Sequence, residues 1–253
     1  MRIFATSDLH ADFGENRLFL EQLSDFEFRE DALLVAGDIG HRFGLIEATL
    51  KLLQAKFGQV FYVPGNHELW VRGDQGDSLD KFYRIIELCD DLEVQTRPGK
   101  VDGHWIVPLF SWYSAEFDVD NTGDVTELAG WGDFQYCEWP GRVEPVDRFF
   151  IRMNQPYIRA YQEQVISFSH FVPRPDLLPP VEHLRFKGLP RVAGSTSIED
   201  QVRALNARVH VFGHSHIRCD CTIDEVRYVQ HGLGYPRERR KSGLEFKNVG
   251  GCG

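Results

Sequence analysis

The feature that most constrains this chain is a recurring pair: a short apolar run, followed at once by a cluster of Asp, His or Asn. Residues 2–6 (RIFAT) lead into Ser7-Asp8-Leu9-His10, residues 32–36 (ALLVA) into Gly37-Asp38, and residues 59–63 (QVFYV) into Pro64-Gly65-Asn66-His67. Between these runs, Leu18, Phe19, Leu20 and Leu23, then Leu45, Ile46, Leu50, Leu52 and Leu53, carry the spacing of helices. Strand, helix, strand, helix, strand predicts a βαβαβ unit and a largely parallel inner sheet. In open α/β sheets ligands sit beyond the carboxyl ends of the strands. All three polar clusters fall there.

The pattern changes after residue 105. Trp105–Phe110 reads as a strand, and a long aromatic- and Gly-rich stretch follows over 111–145, with four of the five tryptophans between 105 and 139. A helix is predicted over about 146–163, then a strand at Val165–Ser169 that ends on His170. Residues 171–195 are Pro-rich and loop-like, and Thr196 to Glu199 has capping-box spacing ahead of a helix reaching about Asn206. Arg208–Phe212 is the next strand and ends on Gly213-His214-Ser215-His216; a hairpin turning at Asp224-Glu225 completes the fold. With no internal repeat and no flexible linker, residues 1–253 are expected to form one domain. Its aromatic-rich insertion, at about 111–160, is a candidate substrate cap.

Composition excludes several classes. The formal net charge is −10, which argues against a broad electrostatic surface for nucleic acid or anionic membrane. No apolar run approaches the ~18 residues of a membrane span, and the N-terminus turns polar too early for a signal peptide. Five cysteines, Cys89, Cys137, Cys219, Cys221 and Cys252, form an odd set in a chain large enough not to need disulfides. Reduced thiols in the cytoplasm are expected, and Cys219 and Cys221, two apart in a strand, should share a face.

The side chains gathered at the strand ends are Asp8, His10, Asp38, Asn66, His67, His170, His214 and His216. Imidazole, carboxylate and amide oxygen together suit borderline divalent metals such as Mn, Fe, Zn or Co. Asp-x-His and Gly-Asp are common by accident. Gly-His-x-His should arise by chance about once in 30 chains of this composition, and Gly-Asn-His-Glu about once in 600. His170 rests on its strand-end position and the following Pro173, without a long motif, and His104, His183, His210 and His231 compete for the same slot.

The ordered set Asp8-x-His10, Gly37-Asp38, Gly65-Asn66-His67-Glu68, His170 and Gly213-His214-x-His216 resembles the calcineurin-like metallophosphoesterase superfamily. That resemblance implies a four-layer α/β/β/α sandwich with two mixed sheets and a dinuclear metal site at the strand ends. It implies Asp8, His10, Asp38 and His216 around one metal, and Asp38, Asn66, His170 and His214 around the other, with Asp38 bridging. Two dications about 3.5–4 Å apart repel, so a carboxylate and a hydroxide are needed between them, the hydroxide being the nucleophile. Manganese is the favoured metal. His67 is then spare, placed to protonate the leaving oxygen or hold the phosphate, and Glu68 is expected to orient it.

Further candidates carry weaker signals. His41 stands where the related purple acid phosphatases place a metal-binding Tyr, and Arg42 where Ser/Thr protein phosphatases place a phosphate-binding Arg. The intervening Ile39-Gly40-His41 departs from the latter pattern. Trp112 and Tyr113, directly after a strand, are candidate substrate contacts. The basic run Arg237, Arg239, Arg240, Lys241 reads as a solvated face. The expected activity is hydrolysis of a small-molecule phosphomonoester, with a phosphodiesterase or nuclease on the same two metals as the alternative. A non-catalytic scaffold of this fold usually lacks metal-site histidines, and none is missing here.

Overall fold

Both faces of the first strands are apolar, and both are buried. In the computed structural model, which describes residues 1–73, 75–143, 145–238 and 245–251, the first half runs β1 (Arg2–Thr6), α1 (Gly14–Glu21), β2 (Ala32–Ala36), α2 (Phe43–Lys56), β3 (Gln59–Val63), α3 (Ser78–Asp91), β4 (Gly99–Val101) and β5 (His104–Pro108). There follow α4 (Gly132–Tyr136), α5 (Val146–Asn154), β6 (Gln164–Phe168), α6 (Thr196–Ala204), β7 (Ala207–Phe212), β8 (Cys219–Ile223), β9 (Val226–Gln230) and β10 (Lys247–Gly251), joined by loops and short 3₁₀ turns. Arg239, Arg240, Lys241 and Cys252 lie outside the described residues.

Two mixed sheets result. One has the order β10-β1-β2-β3, the other β4-β5-β6-β7-β9-β8. Their inner strands are parallel, while β10, β4 and β8 run antiparallel at the edges. Ile3, Ala5, Ala32, Leu34, Ala36, Phe61 and Val63 of the first sheet meet Ile106, Ile166, Phe168, Val211 and Val229 of the second in one apolar interface. The alternate residues, Leu33, Val35, Val60 and Tyr62, point outward and pack with Ile46, Leu50 and Leu53 of α2. Ile198 and Val202 of α6 share an outer core with Phe212 and Tyr228. The layers are therefore α/β/β/α. No helix among the described residues is long and apolar enough to cross a membrane.

Where the elements differ from expectation, the reasons are local. The helix predicted to 163 stops at Asn154 and passes into one 3₁₀ turn, Gln155–Tyr157; Gln155 keeps helical geometry, but Pro156 has no N–H with which to continue the α-helical ladder. In α1 the helix buries Asn16 and Leu20, and Leu18 is 52% exposed. Helix α6 is capped by Ser195, whose hydroxyl accepts from the Ser197 amide, one residue before the predicted cap. Helix α3 has its own signal in Asp77 and Asp80, which form a reciprocal cap ahead of buried Leu79, Phe82, Ile85 and Cys89. Strand β10 (KNVGG) has little strand propensity of its own and is held by pairing with β1. Cys219 and Cys221 do share a face, with Sγ atoms 3.4 Å apart.

Candidate metal centre

Five of the seven candidate ligand residues sit in left-handed backbone: Asp8 (φ 51°), His10 (φ 39°), Asp38 (φ 58°), His214 (φ 70°) and His216 (φ 56°). Such conformations cost a non-glycine residue about 1–3 kcal/mol each and persist only where the surroundings enforce them. The enforcement here is hydrogen bonding between successive strand-end loops. Asp8 and His10 donate their amides to Gly37 O (2.9 Å) and Asp38 O (2.8 Å), and the His214 amide donates to Asp8 Oδ1 (2.9 Å). Gly65 is required by close approach, because a Cβ there would fall on Asp38 Oδ1 and 2.7 Å from His170 Cε1.

Glu68 does not orient His67. Its buried carboxylate accepts backbone amides from both neighbouring loops, Oε2 from Gly65 (2.6 Å) and Asp38 (3.0 Å), Oε1 from Ile39 and Gly40 (3.2 Å). Burial raises the Glu68 pKa, against the pull of those four N–H groups. The last residue of the Gly-Asn-His-Glu motif thus fixes the backbone of the central aspartate.

The histidine tautomers follow from their outer partners. His170 Nδ1 faces the Ala36 carbonyl at 2.8 Å, and His214 Nε2 faces the Val192 carbonyl at 2.9 Å. A carbonyl only accepts, so each of those nitrogens carries the proton and the other turns a lone pair inward. Those inward atoms, His170 Nε2 and His214 Nδ1, both lie 3.1 Å from Asn66 Oδ1, with Asp38 Oδ1 3.5 Å from His170 Nε2. His216 repeats the arrangement. Its Nδ1 donates to Glu238 Oε2 (2.7 Å), and its Nε2 faces Asp8 Oδ1 (3.4 Å) and His10 Nε2 (3.0 Å).

Metal-ligating side chains, all buried except the half-buried His216, therefore converge in two adjacent groups, Asp8, His10, Asp38, His216 and Asp38, His170, His214, and Asn66 Oδ1 joins the second. Asp38 belongs to both, with Oδ2 toward His10 (4.0 Å) and Oδ1 toward His170. In the second group the lone pairs of His170 Nε2, His214 Nδ1 and Asn66 Oδ1 meet without a proton between them, which fits a cation. Two ligands at 2.0–2.1 Å and a right angle lie about 3 Å apart, close to the spacing of the His10 and His216 nitrogens.

The electrostatics agree. Burial, with Glu68 and Asp8 nearby, pushes the Asp38 pKa well up. Burial lowers His10, His170 and His214, which favours the neutral ligand form. For Asp8, burial acts upward and is the largest single influence, but the charge and hydrogen bond of His216, together with His170 and His10, outweigh it and hold the carboxyl below its ordinary range. Burial works against a charge on His216, but Asp8 and Glu238 raise it to about 10. The field that keeps a proton there would also keep a metal.

Of the other candidates, His67 is at the mouth, its side chain 16% exposed, Nε2 3.9 Å from Asp38 Oδ2 and its ring stacked on Trp70 at 3.9 Å. Burial, and then His170 and His216, bring its pKa down to about 3. His41 and Arg42 turn to Asp12, at 3.7 and 3.8 Å, and Arg42 is 64% exposed at the rim. Trp112, 5% exposed, packs among Tyr113, Trp139 and Phe171, which leaves it no open face for a substrate. Tyr113 is nearer, its ring 6.5 Å from His214.

Four residues around the site lie outside the motifs. Glu238 reaches His216, and Tyr235 packs its ring 4.4 Å from His10. Buried Lys81 donates to the carbonyls of His41 and Trp70, each at 2.5 Å, and so ties two site loops to α3. Asp133 accepts from Asn66 Nδ2 at 2.8 Å. None carries a local sequence signal, because each is brought in by chain that is distant in sequence.

Two stacked mixed sheets with paired His/Asp clusters at the strand ends define a dinuclear metallophosphoesterase. The profile of the calcineurin-like phosphoesterase family matches residues 1–218, and the chain belongs to that family. Its members depend on two metal ions and hydrolyse phosphoric esters. One relative, the acyl-carrier-protein phosphodiesterase PptH of Mycobacterium tuberculosis, is 29% identical over 271 residues, covering 94% of this chain and 79% of that protein. The crystal structure of phosphopantetheinyl hydrolase PptH from the same organism superposes with a TM-score of 0.80 at 24% identity, over 98% of this chain and 95% of the other. The Thermus thermophilus protein TT1561 matches with a TM-score of 0.56 at 14% identity, over 98% of each chain.

Proposed function

We propose that this chain is a phosphodiesterase that uses two divalent ions, manganese first among the candidates, and that its substrate is a phosphodiester of the kind carried by an acyl carrier protein. The observation that carries the dinuclear reading is the convergence of buried lone pairs on both sides of Asp38. The choice of a diester over the monoester expected from sequence is supported by the relation to PptH, an acyl-carrier-protein phosphodiesterase. Asp8, His10, Asp38 and His216 would hold one ion, and Asp38, Asn66, His170 and His214 the other. When bound, the ions supply Lewis acidity and a water of lowered pKa for in-line attack.

The remaining chemistry belongs to the side chains. Asp38 sets the spacing of the two halves, and the outer hydrogen bonds of His170, His214 and His216 keep their donor nitrogens turned inward. His67, partly exposed and backed by Trp70, would hydrogen-bond the ester oxygen that leaves, a role supported by its Nε2 lying 3.9 Å from Asp38 Oδ2. The free thiols of Cys89, Cys137, Cys219 and Cys221 fit a reducing, cytoplasmic setting.

The test is to load the purified chain with Mn²⁺ and compare a bis-aryl with an aryl phosphate. A higher kcat/KM on the bis-aryl ester, abolished by a chelator and restored by Mn²⁺, is expected. Preference for the aryl monoester would return the assignment to a phosphomonoesterase. Inactivity on both, with less than one metal per chain, would favour a scaffold.

A further inference from the structure

Asp133 enters the site from the aromatic-rich stretch, on the five-residue helix α4, and is buried. Its Oδ1 accepts from Asn66 Nδ2 (2.8 Å) and from Trp70 Nε1 (2.6 Å), and its Oδ2 accepts from Trp131 Nε1 (2.8 Å). An indole N–H can only donate, so both carboxylate oxygens are committed as acceptors. The end of the Asn66 amide that faces Oδ1 must then be the NH₂. Its oxygen is left on the opposite side, between His170 Nε2 and His214 Nδ1.

The two ends of an amide have nearly the same size and shape, so packing alone does not choose between them. Only the oxygen can ligate a cation. Asp133 makes that choice by charge and hydrogen bonding. It also reaches His67, because Trp70, whose indole it holds, is stacked on the His67 ring at 3.9 Å and 28°.

We infer that Asp133 is a positioning residue that turns the oxygen of Asn66 toward the second metal and, through Trp70, seats His67. The aromatic-rich insertion thereby supplies a working part of the site. This inference rests on the dinuclear reading above.

Metal binding tests it without reference to turnover. The wild-type chain, loaded with Mn²⁺ and dialysed, is expected to hold two ions. Asp133→Leu keeps the branched outline of the side chain and removes the acceptor; the affinity for one ion should fall about 10- to 100-fold. Adding Asn66→Asp to Asp133→Leu should restore that ion, because a carboxylate offers oxygen at either end. Asn66→Asp alone should weaken the same ion, since it sets two carboxylates against each other. A purely structural Asp133 would give no such reversal of sign.

Two ions held at wild-type affinity in Asp133→Leu, or no rescue in the double variant, would overturn the inference. A wild-type chain that takes up fewer than two ions would overturn the dinuclear reading and this inference with it. If Asp133→Leu loses its cooperative melting transition, the unmutated chain still decides. The Asn66 side-chain NH₂ should exchange slowly with solvent by NMR, and fast exchange contradicts its hydrogen bond to Asp133.

Discussion

Replacing Glu68 by Gln is the sharpest test of how the site loops are held. The carboxylate accepts two backbone amides on each oxygen, Ile39 and Gly40 on Oε1, Asp38 and Gly65 on Oε2. A Gln keeps one oxygen and turns an NH₂ toward the other pair, so two buried amides lose their acceptor and meet a donor. At about 1–3 kcal/mol for each unsatisfied buried group, the loss is about 2–6 kcal/mol. Against a total stability of about 5–15 kcal/mol this is a large fraction. Urea unfolding should show a lower midpoint at unchanged slope, and the melting temperature should fall by at least about 4 °C. Glu47→Gln, at the exposed Glu47–Lys51 pair (2.6 Å), serves as the comparison and should move stability by less than about 0.5 kcal/mol. A Glu68→Gln chain within about 0.5 kcal/mol of wild type would refute the reasoning.

Other outcomes follow from the same geometry. Glu238→Ala should lower the affinity for one metal about 10- to 100-fold, measured by titration calorimetry, because His216 loses the acceptor that fixes its tautomer. His67→Ala should leave two metals in place and reduce turnover about 10²- to 10⁴-fold, most on esters with poor leaving groups; an emptied site would make His67 a ligand instead. Burial holds His210 at a pKa of about 3 between the hydroxyls of Ser167 and Ser169. Its unfolded form takes a proton near pH 6.5 and its folded form does not, so stability present above pH 6.5 is lost as the pH falls toward 3. At pH 5 this amounts to about 2 kcal/mol. Denaturant midpoints of His210→Gln should show that much less acid sensitivity than wild type, and equal sensitivity would contradict it.

What could be read from the sequence divides along a physical line. The strand-end clusters were legible because each lies within a few residues of an apolar run, and a parallel sheet brings such ends to one edge. Residues 2–6, 32–36 and 59–63 are strands in the structure with those bounds. His170 joined the set from its position after a strand, and its lone pair does face Asp38. Glu68 shows the limit of adjacency: next to His67 in sequence, it serves the backbone of Asp38 instead. Asp133 and Glu238 were not legible, since their partners Asn66 and His216 lie 67 and 22 residues away and only the folded chain joins them. Trp112 misled for a related reason, because an aromatic that follows a strand can turn to the core as readily as to the site. Strand β10 is held by the edge of β1 rather than by its own residues, and gave no periodic signal.

The central claim is that Asp38 lies between two metals. Anomalous diffraction from crystals of the manganese-loaded chain tests it most directly. Two peaks are predicted, one bounded by Asp8, His10, Asp38 and His216, the other by Asp38, Asn66, His170 and His214, with an Asp38 oxygen within bonding distance of each. A single peak, or two peaks of which only one touches Asp38, would contradict it.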